Sequence, residues 1–153
     1  MKKLFLSFAV LMIAAGSFAQ TTPAGATAPA TPVVKAEDLI HFTETVHDFG
    51  KIKQGVPVTY DFVFKNISKQ TVVIESATAS CGCTTPVKPE QPITTGKSDK
   101  IKAGFNAAAP SPFDKTIYVK VSGAQQPMEI KIKGEVLSAD AFAKYEADKK
   151  QGK

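Results

Sequence analysis

The two cysteines of this 153-residue chain, Cys81 and Cys83, are the residues with the clearest chemical potential. Only Gly82 separates them, in the stretch SCGCTT. Thiols at this spacing can form a local disulfide, exchange with another thiol, or bind a soft metal ion such as Cu(I). Two folded-back peptides can bring the Cα atoms within the ~4.4–6.8 Å that a disulfide needs. We expect Gly82 to support this turn by accepting the unusual backbone dihedral angles of such a tight ring.

A disulfide between these cysteines would stabilise the fold only slightly. Closing a three-residue loop gains about 1.6 kcal/mol in the chain-entropy model before ring strain is subtracted, against about 3 kcal/mol for a 15-residue loop. An exposed and strained bond is easily reduced, which is typical of redox-active disulfides. A thiol-exchange role lacks the C-x-x-C motif, and a Cu(I) site would need ligands from a partner or a second copy. The local disulfide, the redox pair and the metal site therefore all remain open.

Other catalytic or cofactor motifs are not indicated. The sequence Gly96-Lys97-Ser98 resembles the end of a phosphate-binding loop, but Gln91 stands where that loop requires a glycine. His41 and His47 are six residues apart without the spacing of a zinc site, so we interpret them as exposed or capping residues. The sequence predicts no catalytic residue and no cofactor.

The charge of the chain gives little support to nucleic-acid binding. The formal net charge is +5, and every basic residue is a lysine. Arginine, whose planar guanidinium binds phosphates and guanine edges through two hydrogen bonds, is absent from the sequence. The lysines are scattered among acidic residues, which is typical of a solvated surface.

The N-terminal segment has the layout of a secretory signal peptide followed by a linker. Lys2 and Lys3 precede an apolar run of twelve residues, and small residues stand at the −3 and −1 positions before a cut after Ala19. Residues 1–19 are therefore predicted to be a signal peptide, and the protein to be exported to the periplasm or the cell exterior. Residues 20–36, rich in Thr, Ala and Pro, are predicted to form a disordered linker. The mature chain has no apolar stretch long enough to span a membrane.

Residues 37–137 show the alternation of strands with one buried face. The clearest runs are Val56–Phe64, Ile101–Phe105, Ile117–Val121 and Met128–Val136, separated by turn residues. With a strand near residues 40–45 and another beginning at Val72, six or seven strands fit into about 100 residues without a long helix between them. This pattern predicts an all-β, immunoglobulin-like antiparallel sandwich of about seven strands, with a small barrel as the alternative.

The C-terminal tail, residues 138–153, has helical character. Ser138 can cap a helix, and the following residues are mostly Ala, Glu, Lys and Asp. Phe142 and Tyr145 would share one helix face and could touch the sandwich. We expect a short helix with a packing or solubility role.

Several stretches together resemble the bacterial family known as domain of unknown function 1573. They are HDFG at 47–50, YDFVFKN at 60–66, ASCGCTTP at 79–86, PFDKTIYVKV at 112–121 and IKGEV at 132–136. The resemblance implies an exported, immunoglobulin-like sandwich similar to major sperm protein and hydin-type modules. It also implies that Cys81 and Cys83 are the family's cysteine pair, without a role to transfer. Three loops depart from the family pattern, at 95–96, 108–111 and 121–123, and the second of them lacks the arginine that is common there.

The leading functional hypothesis is an exported, non-enzymatic binding or structural module. Sandwiches expose sheet edges that can recruit another chain by strand addition. The expected partner is a protein or a cell-envelope glycan. The alternatives are a thiol–disulfide redox or sensing module that uses Cys81 and Cys83, and a Cu(I)-binding protein that uses the same two sulfur atoms.

The predicted signal peptide can be tested by mass. We expect the exported protein to lack residues 1–19, because cleavage should follow Ala19. Intact-mass spectrometry of protein recovered from the cell envelope or medium measures this. A mass that retains residues 1–19 would contradict the prediction.

Overall fold

A computed structural model describes residues 33–152, so the predicted signal peptide and residues 20–32 of the predicted linker lie outside the described residues. Besides a short 3-10 helix at Ala36–Asp38, the described chain forms eight strands and one α-helix. They are β1 (Ile40–Phe42), β2 (Val46–Lys53), β3 (Val58–Asn66), β4 (Ile74–Ala79), β5 (Thr84–Val87), β6 (Ser98–Phe105), β7 (Ser111–Val121), β8 (Met128–Leu137) and α1 (Ala139–Gln151).

Two four-stranded sheets form the sandwich. Their strand orders are β1-β3-β6-β5 and β2-β8-β7-β4. Alternate residues of the long strands face inward, and the largest fully buried side chains include Phe62, Phe64, Ile101, Ile117 and Ile130. The alternating pattern therefore predicted the core correctly, and the all-β, immunoglobulin-like sandwich is confirmed.

The number and direction of the strands differ from the prediction of about seven antiparallel strands. The described chain has eight, and β2 runs parallel to β8, with Val46 opposite Lys131. Sequence reasoning missed β2 because a bulge interrupts its alternation between Asp48 and Lys51. It missed β5 because that strand has only four residues, one of them a proline at a sheet edge.

The chain changes sheets five times, between β1 and β2, β2 and β3, β3 and β4, β4 and β5, and β6 and β7. The change between β4 and β5 leaves β7 extending past its neighbour β4. Strand β4 ends where Ala79 lies opposite Ile117, and the Ser80 amide donates the last bond to the Thr116 carbonyl at 2.9 Å. Beyond that point, residues 111–115 of β7 pair only with β8 among the described residues.

Residues 34–36, at the end of the predicted linker, contact the sandwich. The Val34 carbonyl accepts a hydrogen bond from the Gln125 amide at 3.0 Å, and Lys35 forms a bridge with Gln126. Ala36 is only 2% exposed. The last residues of the predicted linker therefore pair with the loop before β8.

Helix α1 confirms the prediction for the tail. The Ser138 hydroxyl caps it by accepting from the Ala141 amide at 3.3 Å. The rings of Phe142 and Tyr145 lie 6.2 Å apart on one face, and the Lys51 ammonium lies 5.0 Å from the Tyr145 ring centre. This contact joins the helix to β2. Between residues 33 and 152, no helix is long and apolar enough to cross a membrane.

Asn66, at the end of β3, is a buried polar centre at the sandwich end opposite α1. Its side-chain amide donates to the carbonyls of Gln70 and Ile93, at 2.7 and 2.8 Å. Its side-chain oxygen accepts from the amide and the hydroxyl of Ser68, at 2.9 and 2.8 Å. Asn66 is 0% exposed. The Asn66-Ile67-Ser68 sequence matches the N-glycosylation pattern, but the acceptor nitrogen of Asn66 is buried in the folded protein. The asparagine and the serine of this motif have a structural role.

We predict that Asn66→Ala lowers the free energy of unfolding by about 2–4 kcal/mol, because it removes four buried hydrogen bonds to the Gln70 and Ile93 carbonyls and to Ser68. Urea denaturation measures this through the midpoint at constant slope. Lys69→Ala, at an exposed site in the same turn, is the matched control. Equal midpoints for the two variants would contradict the structural role of Asn66.

Candidate functional site

The Cys81–Cys83 pair lies in the loop that carries the chain from β4 in one sheet to β5 in the other. Their sulfur atoms are at bonding distance, so the two residues form a disulfide, and their Cα atoms are 5.4 Å apart. The Thr84 amide donates to the Cys81 carbonyl at 3.3 Å, which closes the turn. The bond therefore shapes a crossover between the sheets, where the chain leaves one strand ladder and enters the next.

The two sulfur atoms have different surroundings. Cys83 packs against the hydrophobic core, and its carbonyl accepts from the Asn106 amide at 3.1 Å. The sulfur of Cys81 lies 3.7 Å from the hydroxyl of Thr84, a residue that is only 4% exposed. Both cysteines are half-buried. The disulfide is therefore reachable from solvent but is supported by the core on one side.

Gly82 is exposed in this turn and does not have a positive φ. An added Cβ would meet no atom within 4 Å. The turn therefore does not require the left-handed backbone region that favours glycine. A supporting role of Gly82 in the turn stays a prediction.

A small cleft of about 160 Å³ adjoins the disulfide. Cys83 forms part of its lining, together with the loop at 106–109 and the start of β7. Phe105 and Phe113, from opposite sheets, stack at 4.1 Å between ring centres and also line the cleft. The loop is held by the Ala107 carbonyl, which accepts from the Gly55 amide at 2.9 Å. This loop includes the segment at 108–111 that departs from the family pattern.

Lys115 also lines this cleft, and sequence reasoning overlooked it. Along β7, Phe113, Ile117, Val119 and Val121 are buried on the inner face, and Lys115 occupies the same register. A charged residue at an inward-facing position of a strand is an interruption of the apolar alternation. That interruption in P-F-D-K-T-I was the signal by which Lys115 could have been found.

A second group of residues explains two of the other family motifs. The bulge in β2 places Phe49 and Gly50 opposite the single residue Gly134 of β8. The Gly50 amide donates to the Asp48 carboxylate at 2.8 Å, and Gly50 has a φ of 64°. An added Cβ at Gly134 would lie 2.7 Å from the Gly50 carbonyl oxygen and 2.9 Å from the Phe113 ring. HDFG and IKGEV thus form one close-packed contact.

Phe113 joins this contact to the disulfide cleft. It lines the cleft beside Cys83, and it also lines a shallow depression of about 380 Å³ whose other residues include Asp48 and Lys133. The carboxylate of Asp48 and the ammonium of Lys133 are 3.6 Å apart and largely exposed. Such surface ion pairs contribute little to stability. Because Phe113 lines both the cleft and the depression, the motifs that contain Cys83, Phe113 and Gly134 meet at one end of the sandwich. We call this the disulfide end and define it by residues 80–84, 105–115 and 134.

The histidines do not form a metal site with the cysteines. His41 lies on β1 and is exposed. His47 stacks on Tyr60 at 3.5 Å between ring centres, and its Nδ1 is 3.4 Å from the Glu44 carboxylate. The Tyr60 hydroxyl donates to Glu44 at 2.6 Å, and this bond raises the pKa of Tyr60 above its ordinary value. Among residues 33–152, no three potential metal ligands are grouped together.

The fold and its motifs define an immunoglobulin-like sandwich with a disulfide in the loop between its sheets. The chain belongs to the family described as protein of unknown function (DUF1573), which matches residues 40–136. This confirms the resemblance found in the sequence. No curated protein shows a significant match to the chain.

Solved structures share the fold at low sequence identity. A Porphyromonas gingivalis W83 protein of unknown function is 17% identical with a TM-score of 0.56, over 70% of this chain and 50% of that one. The PapD-like domain 7 of human CEP192, also called an ASH domain, is 9% identical with a TM-score of 0.54, over 77% of this chain and 99% of that one. The secreted serine protease VesC from Vibrio cholerae is 10% identical with a TM-score of 0.53, over 66% and 24%.

These structural likenesses show the fold alone. The chain spans about half the length of the Porphyromonas protein and about a quarter of VesC. The similarity to a protease is therefore a distant likeness of fold, and the family match indicates no catalytic family.

The contact between β2 and β8 yields a prediction. We expect Gly134→Ala to lower the free energy of unfolding by about 1–3 kcal/mol, because the added methyl group would overlap a backbone carbonyl and a buried ring. Gly82→Ala is the matched control and should change it by less than about 0.5 kcal/mol, since its Cβ would be in open space. Chemical denaturation of both variants measures the difference. Similar losses for both would show that the close approach at Gly134 is not a constraint.

Proposed function

We propose that this protein is an exported, non-enzymatic binding module that recruits a polypeptide at its disulfide end. The open edge of β7 is the observation that supports this most strongly. Within residues 33–152, residues 111–115 pair with β8 on one side only, because β4 has already left the sheet. Backbone groups alternate between the two sides of an antiparallel strand, and those of Thr116 face Ser80. The amide and carbonyl of Asp114 therefore face the open side.

The surroundings of this edge suit an added strand. Main-chain hydrogen bonds would supply affinity, and alternate side chains of the added strand could enter the adjoining cleft. Phe105 and Phe113 provide apolar contact there, and Lys115 provides one positive charge. Pro112 has no amide hydrogen, which limits unselective pairing at this edge. A strand edge favours a polypeptide partner over the cell-envelope glycan that the sequence left open.

Export is part of this proposal and rests on two supports. Residues 1–19 have the layout of a signal peptide. The Cys81–Cys83 disulfide is compatible with an oxidising compartment such as the periplasm or the cell exterior, where structural disulfides persist. We therefore place the binding activity in the periplasm or at the cell surface.

The proposal can be tested by photo-crosslinking in cells. We expect benzoylphenylalanine at position 114 to give an adduct of one defined mass, because that residue lies on the open edge. The same probe at position 102, on the exposed outer face of β6, is the matched control and should not give it. Mass spectrometry of the adduct then identifies the crosslinked polypeptide.

The identified polypeptide is next titrated against the purified protein. We expect Asp114→Pro to weaken binding about tenfold or more, since it removes the amide donor on the open side. Circular dichroism of the variant checks that the sandwich is retained. An adduct formed equally at positions 102 and 114, or an unchanged Kd in a folded Asp114→Pro variant, would refute docking at this edge.

A further inference from the structure

The cleft at the disulfide end is lined by one cysteine of the pair and not by the other. Cys83 belongs to its lining, whereas Cys81 does not. Exchange begins when a thiolate attacks a disulfide sulfur, and the rate depends on which sulfur is reached. The attacking sulfur approaches from the side of the target that is away from the leaving sulfur. A thiolate that enters this cleft therefore lies beside Cys83 and not beside Cys81.

Lys115 gives the cleft a charge that favours such a reactant. It is the one charged side chain among the cleft-lining residues of the described chain. An ammonium group near the entry route attracts an anionic thiolate and raises its local concentration. Inward-pointing charged residues are also a common protection of open strand edges against aggregation, and such a role would not depend on any thiol. The two roles differ in what they predict for reactants of opposite charge.

Thr84 is placed to stabilise the sulfur that would leave. Its hydroxyl is 3.7 Å from the Cys81 sulfur, within the range of hydrogen bonds to sulfur, and the residue is almost fully buried. A hydrogen bond donated to a thiolate favours the charged form, and a leaving thiol of lower pKa departs faster. The surroundings therefore favour departure of Cys81, just as the cleft favours attack at Cys83.

We propose that the disulfide is opened in one direction by an incoming thiolate. The thiolate of a small thiol or of a cysteine on another chain attacks the sulfur of Cys83. A new S–S bond forms there, the Cys81–Cys83 bond breaks, and its electron pair leaves on Cys81 as a thiolate that accepts a hydrogen bond from Thr84. The product is a mixed disulfide on Cys83 and a reduced Cys81. This reactivity goes beyond the binding function and does not depend on it.

The direction of opening is tested with glutathione. The oxidised protein is mixed with glutathione, and the reaction is stopped at early times with acid and N-ethylmaleimide. Tandem mass spectrometry then locates the two labels on either side of Gly82. We expect glutathione on Cys83 and maleimide on Cys81 in at least about a tenfold excess over the reverse arrangement.

Two variants test the contributing side chains. Thr84→Val removes the hydroxyl and should slow formation of the adduct several-fold. Thr84→Ser keeps the hydroxyl and should form the adduct at nearly the rate of the unchanged protein. Lys115→Gln should slow the reaction with glutathione, which is an anion, about three- to tenfold, but should not slow the reaction with cysteamine, which carries a positive charge. Lys102→Gln is the matched control and should change neither rate. Thermal unfolding of each variant separates a loss of reactivity from a loss of fold.

Several results would overturn the proposal. Absence of any adduct would show that the bond is an inert local staple. Glutathione on Cys81, or equal amounts on both cysteines at the earliest times, would refute the direction. Equal slowing with both thiols in Lys115→Gln would remove the electrostatic contribution. None of these results bears on the crosslinking experiment, so failure of this proposal is distinguishable from failure of the binding function.

Discussion

The close approach of two backbones at Gly50 and Gly134 is the constraint on which the disulfide end depends. A carbonyl oxygen of β2 and the ring of Phe113 occupy the volume that a Cβ on β8 would need. This contact allows β2 to join β8 in parallel after the chain has crossed from the other sheet. It also fixes Phe113 in the position where that ring stacks on Phe105 between the sheets. The cleft beside Cys83 is built on this stack.

The disulfide has a different role from the disulfides that hold sandwich sheets together. It joins residues two apart in a crossover loop, so it constrains the unfolded chain only slightly. Stability comes instead from the inward-facing apolar side chains and from polar centres such as Asn66. Because the fold does not rely on the bond, its opening need not unfold the sandwich. A reactive disulfide is compatible with a stable domain for that reason.

Binding and thiol exchange would use the same end of the molecule. The open edge of β7, Lys115 and Cys83 all border one cleft. A polypeptide added along residues 111–115 would cover Cys83, and a mixed disulfide on Cys83 would occupy space that the side chains of an added strand need. The two activities would therefore influence each other if both occur. Both activities would use this end because β4 leaves its sheet early. Its departure exposes the edge of β7 and the loop that contains the cysteines.

The sequence by itself determined the fold class, most strands, the C-terminal helix and the cysteine pair. Period-two alternation in β3, β6, β7 and β8 is a local signal of one buried face, and the cap at Ser138 is equally local. The bulged β2, the parallel pairing and the short β5 were not predictable, because their patterns are set by distant strands. Only the tertiary structure brought Cys83, Phe113 and Lys115 together. Their proximity depends on which strands pair and where β4 ends, and no spacing along the chain encodes it.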